Sequence, residues 1–149
     1  MNKSKVLVIS AVIILMIFSI NLKSQIVEDS WAPILYNGEL IYVDLKNIDS
    51  FQGDEIYVWT IERLAEPLRM EDIEDDIYTA KTYYLINKKL KRYSLLEIIY
   101  YDTDHNVIKD YTYKSTTDDP DLKYNYPIYD NSLVDLVLQR CLREIESNN

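Results

Sequence analysis

The sequence predicts an α+β domain, an antiparallel sheet of about six strands with one C-terminal helix packed on it. Three observations predict this. Between Trp31 and Lys114 the apolar and aromatic residues fall in short runs, one of which, Glu55 to Leu64, alternates as half-buried strands do. The runs are joined by short polar turns, which suit hairpins and not the long crossovers of parallel pairing. Helical periodicity past residue 30 appears once, after Ser132.

Trp31 to Tyr36 reads as the first strand, and Asn37-Gly38 is a strong hairpin signal leading into Glu39–Asp44. A loop with Ser50, Gln52 and Gly53 precedes Glu55–Leu64. In that run Ile56, Val58 and Thr60 share one face, and Tyr57, Trp59 and Ile61 the other. Pro67 is expected to end the strand, because proline cannot donate to a ladder. Residues 65 to 77 are acidic and weakly patterned, which reads as a loop holding at most one helical turn. Tyr78–Ile86, Leu90–Tyr101 and Val107–Lys114 then form a meander, connected by Asn87-Lys88-Lys89 and by the polar turn Asp102 to Asn106. Ser115 to Asp121 is a polar linker containing Pro120. Ser132 is a good helix N-cap, with Asp135 three residues on. Positions 133, 134, 137, 138, 141, 142 and 145 make one apolar face, so Cys141 is expected to be buried there.

The N-terminus reads as a targeting segment. Lys3 and Lys5 precede a 15-residue apolar run, Val6 to Ile20, interrupted only by Ser10 and Ser19. A bilayer-spanning helix needs about 20 such residues. A short run with a positive start and polar Asn21 and Lys23 after it describes a secretory signal peptide, with cleavage expected after Ser24. The alternative is an uncleaved anchor extending through Leu22. The expectation is therefore a signal peptide over 1–24, a single domain over 25–149, and export to the periplasm or the cell surface. Residues 25–149 hold 13 bases against all 25 acids, a formal charge of −12.

Composition narrows the chemistry. An acidic chain does not suit nucleic acid, which requires a basic face. The only two glycines, Gly38 and Gly53, cannot form a glycine-rich phosphate loop. One histidine and one cysteine are too few for imidazole or thiolate zinc sites, so neither metal nor cofactor is expected. Asp102-x-Asp104-x-Asn106 opens like a calcium loop, but Val107 and Tyr113 stand where glycine and a bidentate glutamate are needed. A hairpin turn is the expected reading. Glu71 to Asp76 places five carboxylates in six residues, expected as a solvated loop. His105 has no nucleophile motif around it, so no catalytic residue is assigned.

Lys88, Lys89, Lys91 and Arg92 are the one basic cluster. They are the candidate binding residues, suited to an anionic partner, and the alternative is a polar connection between strands. The 14 tyrosines suit both half-buried strands and recognition surfaces. Tyr111 with Tyr113, and Tyr124, Tyr126 and Tyr129, are the clusters of interest.

The order of features also resembles a known family. Trp31 opens the domain, followed by Ile41-Tyr42-Val43-Asp44, Asn47-Ile48-Asp49-Ser50 and Gly53 before Ile56-Tyr57-Val58-Trp59. Tyr100-Tyr101-Asp102, Pro127 through Ser132 and a helix reaching Cys141 complete the series. The pattern over residues 31 to 142 is similar to the surface-adhesin protein E-like family of Gram-negative bacteria. That resemblance implies a small exported domain with an antiparallel sheet and a C-terminal helix. It also implies binding to host or extracellular macromolecules, a protein or polysaccharide partner, and no catalysis. The alternative role is a soluble periplasmic partner-binding or inhibitor domain, and a small hydrolase is the rival from another class. The family's pattern implies a cysteine at the position matched to Asn87, paired with the one in the final helix. Here Asn87 leaves Cys141 alone. Asn106 likewise stands where the family pattern implies glycine, and asparagine tolerates the left-handed conformation.

Overall fold

The computed structural model describes residues 31–46, 48, 53–113 and 119–147. The expected signal peptide lies outside the described residues. The strands are β1 (Trp31–Tyr36), β2 (Glu39–Asp44), β3 (Glu55–Met70), β4 (Ile73–Asn87), β5 (Arg92–Tyr101), β6 (Val107–Thr112) and β7 (Tyr126–Pro127). The helices are the short α1 (Pro120–Lys123) and α2 (Leu133–Ser147). The sheet is antiparallel in the order β1-β2-β3-β4-β5-β6, and β7 pairs with β5. With α2 packed on one face, the α+β architecture read from the sequence is the one observed.

Each turn has a local cause. Asn37 and Gly38 both take positive φ, 52° and 87°, as a two-residue hairpin turn of this hand requires. At the β5–β6 turn Asp102 Oδ1 accepts the backbone N–H groups of Asp104 and Asn106 at 2.8 Å each. Its other oxygen accepts Asn106 Nδ2, also at 2.8 Å. The carboxylate is thus occupied in holding a turn. The left-handed residue there is His105, with φ 65°, not Asn106.

The sheet has two unlike faces. Ile34, Ile41, Val43, Ile56, Val58, Tyr84 and Ile86 line the inner one and meet Val134, Val137, Leu138 and Cys141 of α2. Burial pushes the Tyr84 phenol up to about 12, with Thr60 and Thr82 as its hydrogen-bond partners. Ser132 Oγ caps α2 by accepting the Asp135 N–H at 3.3 Å. Asp135 is itself buried, and its Oδ2 accepts the Asn131 N–H at 3.1 Å and Gln139 Nε2 at 2.8 Å. The reciprocal arm of this cap lands one residue before Ser132, a variation on the capping box.

Two segments differ from the sequence reading. β3 does not stop at Pro67; it runs to Met70 and turns at Glu71-Asp72 into β4, which starts at Ile73. The register slips between Arg63↔Thr79 and Leu68↔Ile77, so Pro67 sits in the bulged stretch where no ladder partner is assigned. Ile73 and Ile77 are buried while Glu74 and Asp75 are exposed. Two apolar anchors four residues apart in an acidic run leave no period-two signal. The tip of this hairpin reaches β6, where the Tyr111 hydroxyl donates to the Asp72 carboxylate. That hydrogen bond is the main cause of a Tyr111 phenol pushed up to about 12. The second difference is α1, which starts at Pro120 inside the expected linker, and β7, which follows it where no element was expected; residues 115–118 of that linker lie outside the described residues. They carry the chain along the edge of β5 from the outer face to α2 on the inner face.

Candidate functional site

The basic cluster forms the β4–β5 connection. Lys88, Lys89 and Lys91 stand in the turn and Arg92 opens β5, opposite Asn87. The Lys88 N–H donates to the Asp54 carbonyl at 2.9 Å. Asn87 Oδ1 accepts the N–H groups of Lys89 at 3.1 Å and Leu90 at 2.9 Å, which folds the turn back on itself. Lys91 takes φ 51° and sends Nζ to 3.6 Å from the buried Asp135 Oδ1. Its charge therefore also serves the N-terminus of α2. Lys89 is exposed at the tip beside exposed Leu90.

Asn87 lies on the outer face, because Ile86 beside it points into the core. Its Nδ2 donates to the Tyr124 hydroxyl at 3.2 Å. Cys141 is buried on the inner face, so a cysteine at position 87 would point away from it. The pairing that the family resemblance implies has no geometry here through this position.

The same outer face is crossed by a strap, residues 119–125. Glu55 anchors it: Oε1 accepts Lys123 Nζ at 2.6 Å and the Tyr124 hydroxyl, and Oε2 accepts the Tyr57 hydroxyl at 3.0 Å. Ser94 adds a second anchor, donating to the Lys123 carbonyl at 2.6 Å and accepting the Asn125 N–H at 3.0 Å. Burial raises the Glu55 pKa, but the hydrogen bonds from Lys123, Tyr124 and Tyr57 outweigh it and hold the carboxyl below its ordinary value.

Beyond the strap the outer face is open and aromatic. Trp59 and Tyr83 are directly opposed across β3 and β4, and their rings stack at 4.6 Å with 13° between planes. Tyr57 continues the row at 6.3 Å from Tyr83. Lys81 Nζ lies 4.6 Å from the Trp59 ring centre and 5.7 Å from that of Trp31. Arg63 places its guanidinium 5.9 Å from the Tyr42 ring. The face continues over β1 and β2 through the opposed pairs Pro33–Tyr42 and Leu35–Leu40. Leu35 is 65% exposed and Leu40 50%. Strand alternation already placed Tyr57, Trp59 and Ile61 on one face. What it lacked was the register that brings Tyr83, Lys81 and Trp31 beside them, which depends on pairing across four strands.

Of the tyrosine clusters, Tyr124 is buried in the strap, whereas Tyr126 and Tyr129 are exposed. Tyr111 packs edge-on against Tyr100 at 6.1 Å. Among the described residues, no group of three or more His, Cys, Asp and Glu side chains is placed to hold a metal ion. No described helix is long and apolar enough to cross a membrane.

Comparison with known proteins found no matching family model, no matching curated protein and no matching solved structure.

Proposed function

We propose that this chain is an exported, non-catalytic binding domain, adhesin-like in role, that contacts a host or extracellular macromolecule through the open face of its sheet and through the basic turn at the end of the sheet. The observation that carries this reading is the open face itself. Aromatic rings and long apolar side chains that a monomer would otherwise bury stand half-exposed there, while α2 covers the other face. The signal-like N-terminus and the resemblance to the surface-adhesin protein E-like family support export and binding. The partner is a protein or polysaccharide.

The basic turn offers Lys88 and Lys89 at the end of the sheet, with Lys91 and Arg92 beside them. Against a strongly negative chain its attraction is local and screened by salt. The test is capture of a partner from extracellular material by wild type, by Lys88→Glu/Lys89→Glu, and by Trp59→Ala. Lys91 is left intact because it faces Asp135. Binding should weaken in both variants, and the turn variant should lose its salt dependence. Equal capture by all three proteins would refute the reading. Protease sensitivity on intact cells separates a surface role from the alternative, a periplasmic partner-binding or inhibitor domain.

A further inference from the structure

We infer that the free edge of β6 is a second interaction surface, one that takes an extended strand of another protein by main-chain hydrogen bonding. This edge is separate from the open face and does not depend on the reading given above.

One hydrogen bond fixes which main-chain groups of β6 face outward. The Tyr113 N–H donates to the Leu96 carbonyl at 2.8 Å. These two residues are directly opposite in the register that pairs Glu97 with Thr112 and Ile98 with Tyr111. Hydrogen-bonded and non-bonded pairs alternate along an antiparallel ladder. Tyr113, Tyr111 and Lys109 therefore turn their N–H and C=O groups toward β5, and Thr112 and Asp110 turn theirs away from it. Among the described residues no strand pairs with that outer side. Lys109, Asp110 and Thr112 are all exposed. The outward groups recur every second residue, about 6.8 Å along the strand, which is the repeat of an incoming strand. A glycan or a lipid headgroup does not offer amide donors and carbonyl acceptors in alternation at that repeat, so the occupant is a polypeptide.

The opposite edge is closed to such pairing. The two-residue turn makes Tyr36 and Glu39 a hydrogen-bonded pair, and the same alternation then turns Pro33 outward. Proline has no N–H, so the middle of the β1 edge lacks a donor. β6 has no proline from Val107 to Thr112.

Charge selects another protein over a second copy. Two β6 strands paired antiparallel about a two-fold axis oppose residues of the same face. The two registers that overlap most of the strand set Lys109 against Lys109, or Asp110 against Asp110. Like charges directly opposite are destabilising, and the net negative charge of the chain adds to the repulsion. Lys109 Nζ lies 5.7 Å from the Tyr111 ring centre, drawn onto its own strand. The edge thus resists itself while a strand of complementary charge meets no such penalty.

Amide exchange followed by NMR on the full chain gives the first test. The N–H groups of Asp110 and Thr112 should exchange fast, and those of Lys109, Tyr111 and Tyr113 slowly. The probe is the capped peptide Thr-Val-Lys-Glu-Val-Thr, which sets Lys against Asp110 and Glu against Lys109 when antiparallel. It should protect both outward amides saturably at millimolar concentration. Binding should be at least tenfold weaker in Asp110→Pro, which removes an outward donor as Pro33 does on β1, with circular dichroism melts to confirm folding. The same peptide with its central amides N-methylated keeps the side chains and removes the donors, so it makes the comparison on the unaltered chain and should also bind at least tenfold more weakly. Slow exchange at Asp110 and Thr112 in the free chain, no saturable protection at millimolar peptide, or equal binding of the N-methylated peptide would each overturn the inference. A dimer in sedimentation that Asp110→Pro dissolves would place a second copy on this edge and overturn the choice of occupant.

Discussion

Truncating Val137 to alanine tests the packing of α2 on the sheet. Val137 is fully buried and sits between Val134, Leu138 and Cys141 against the inner-face strands. The change removes two methyl-sized groups, worth about 1.6 kcal/mol in transfer free energy at roughly 0.8 kcal/mol each. Neighbours that relax only partly leave a cavity, which raises the cost to about 2–3 kcal/mol. In urea, with a slope of about 1–3 kcal/mol/M, that is a drop in midpoint on the order of 1 M or more. The control is Arg143→Ala, an exposed position on the same helix, expected within about 0.5 kcal/mol of wild type. Equal midpoints for wild type and Val137→Ala, at unchanged slope, would mean that this face of α2 is not buried and that the inner core is wrongly assigned.

Cys141 should resist thiol reagents in the folded chain and react once it is denatured, because burial pushes its thiol up to about 12 and leaves no exposed surface. Rapid labelling of native protein, or a disulfide-linked dimer on a non-reducing gel, would contradict this. Glu55→Gln should cost about 1–2 kcal/mol at neutral pH, since the variant loses charge-assisted hydrogen bonds to Lys123, Tyr124 and Tyr57. The folded-state pKa of Glu55 is lowered, so its stabilisation is complete above the ordinary value of 4.5 and is lost as pH falls through the lower folded value. Denaturation curves of wild type and variant should therefore converge in acid; a gap independent of pH would refute the anchoring role. If the proposed export holds, mass spectrometry of the chain outside the cytoplasm should show a start near Gln25, and an intact Met1 in a membrane fraction would overturn that processing.

The elements legible in the sequence were those with an undivided local signal. Asn37-Gly38 dictates its own turn, and the 133–145 face has helical spacing along its whole length. The segment from 65 to 77 was illegible because its pairing is bulged and its burial rests on Ile73 and Ile77 alone. Proline stops a strand where the ladder is regular, and the register shift between Arg63 and Leu68 removes that requirement at Pro67. For the candidate site, the basic turn was visible as composition, but the role of Lys91 against Asp135 was not. That contact joins residues 44 apart in the chain and depends on where α2 starts. The open face was half legible: alternation put Tyr57 and Trp59 together, while the stacking with Tyr83 and the two indoles around Lys81 required the strand register.

Hydroxyl-radical footprinting of the chain, free and bound to its captured partner, tests the binding-face claim most directly. Protection is predicted at Trp31, Tyr42, Trp59 and Leu40, with Arg143 on the outer side of α2 unchanged. Protection confined to the exposed side of α2, with the open sheet face as reactive as in the free chain, would contradict the account.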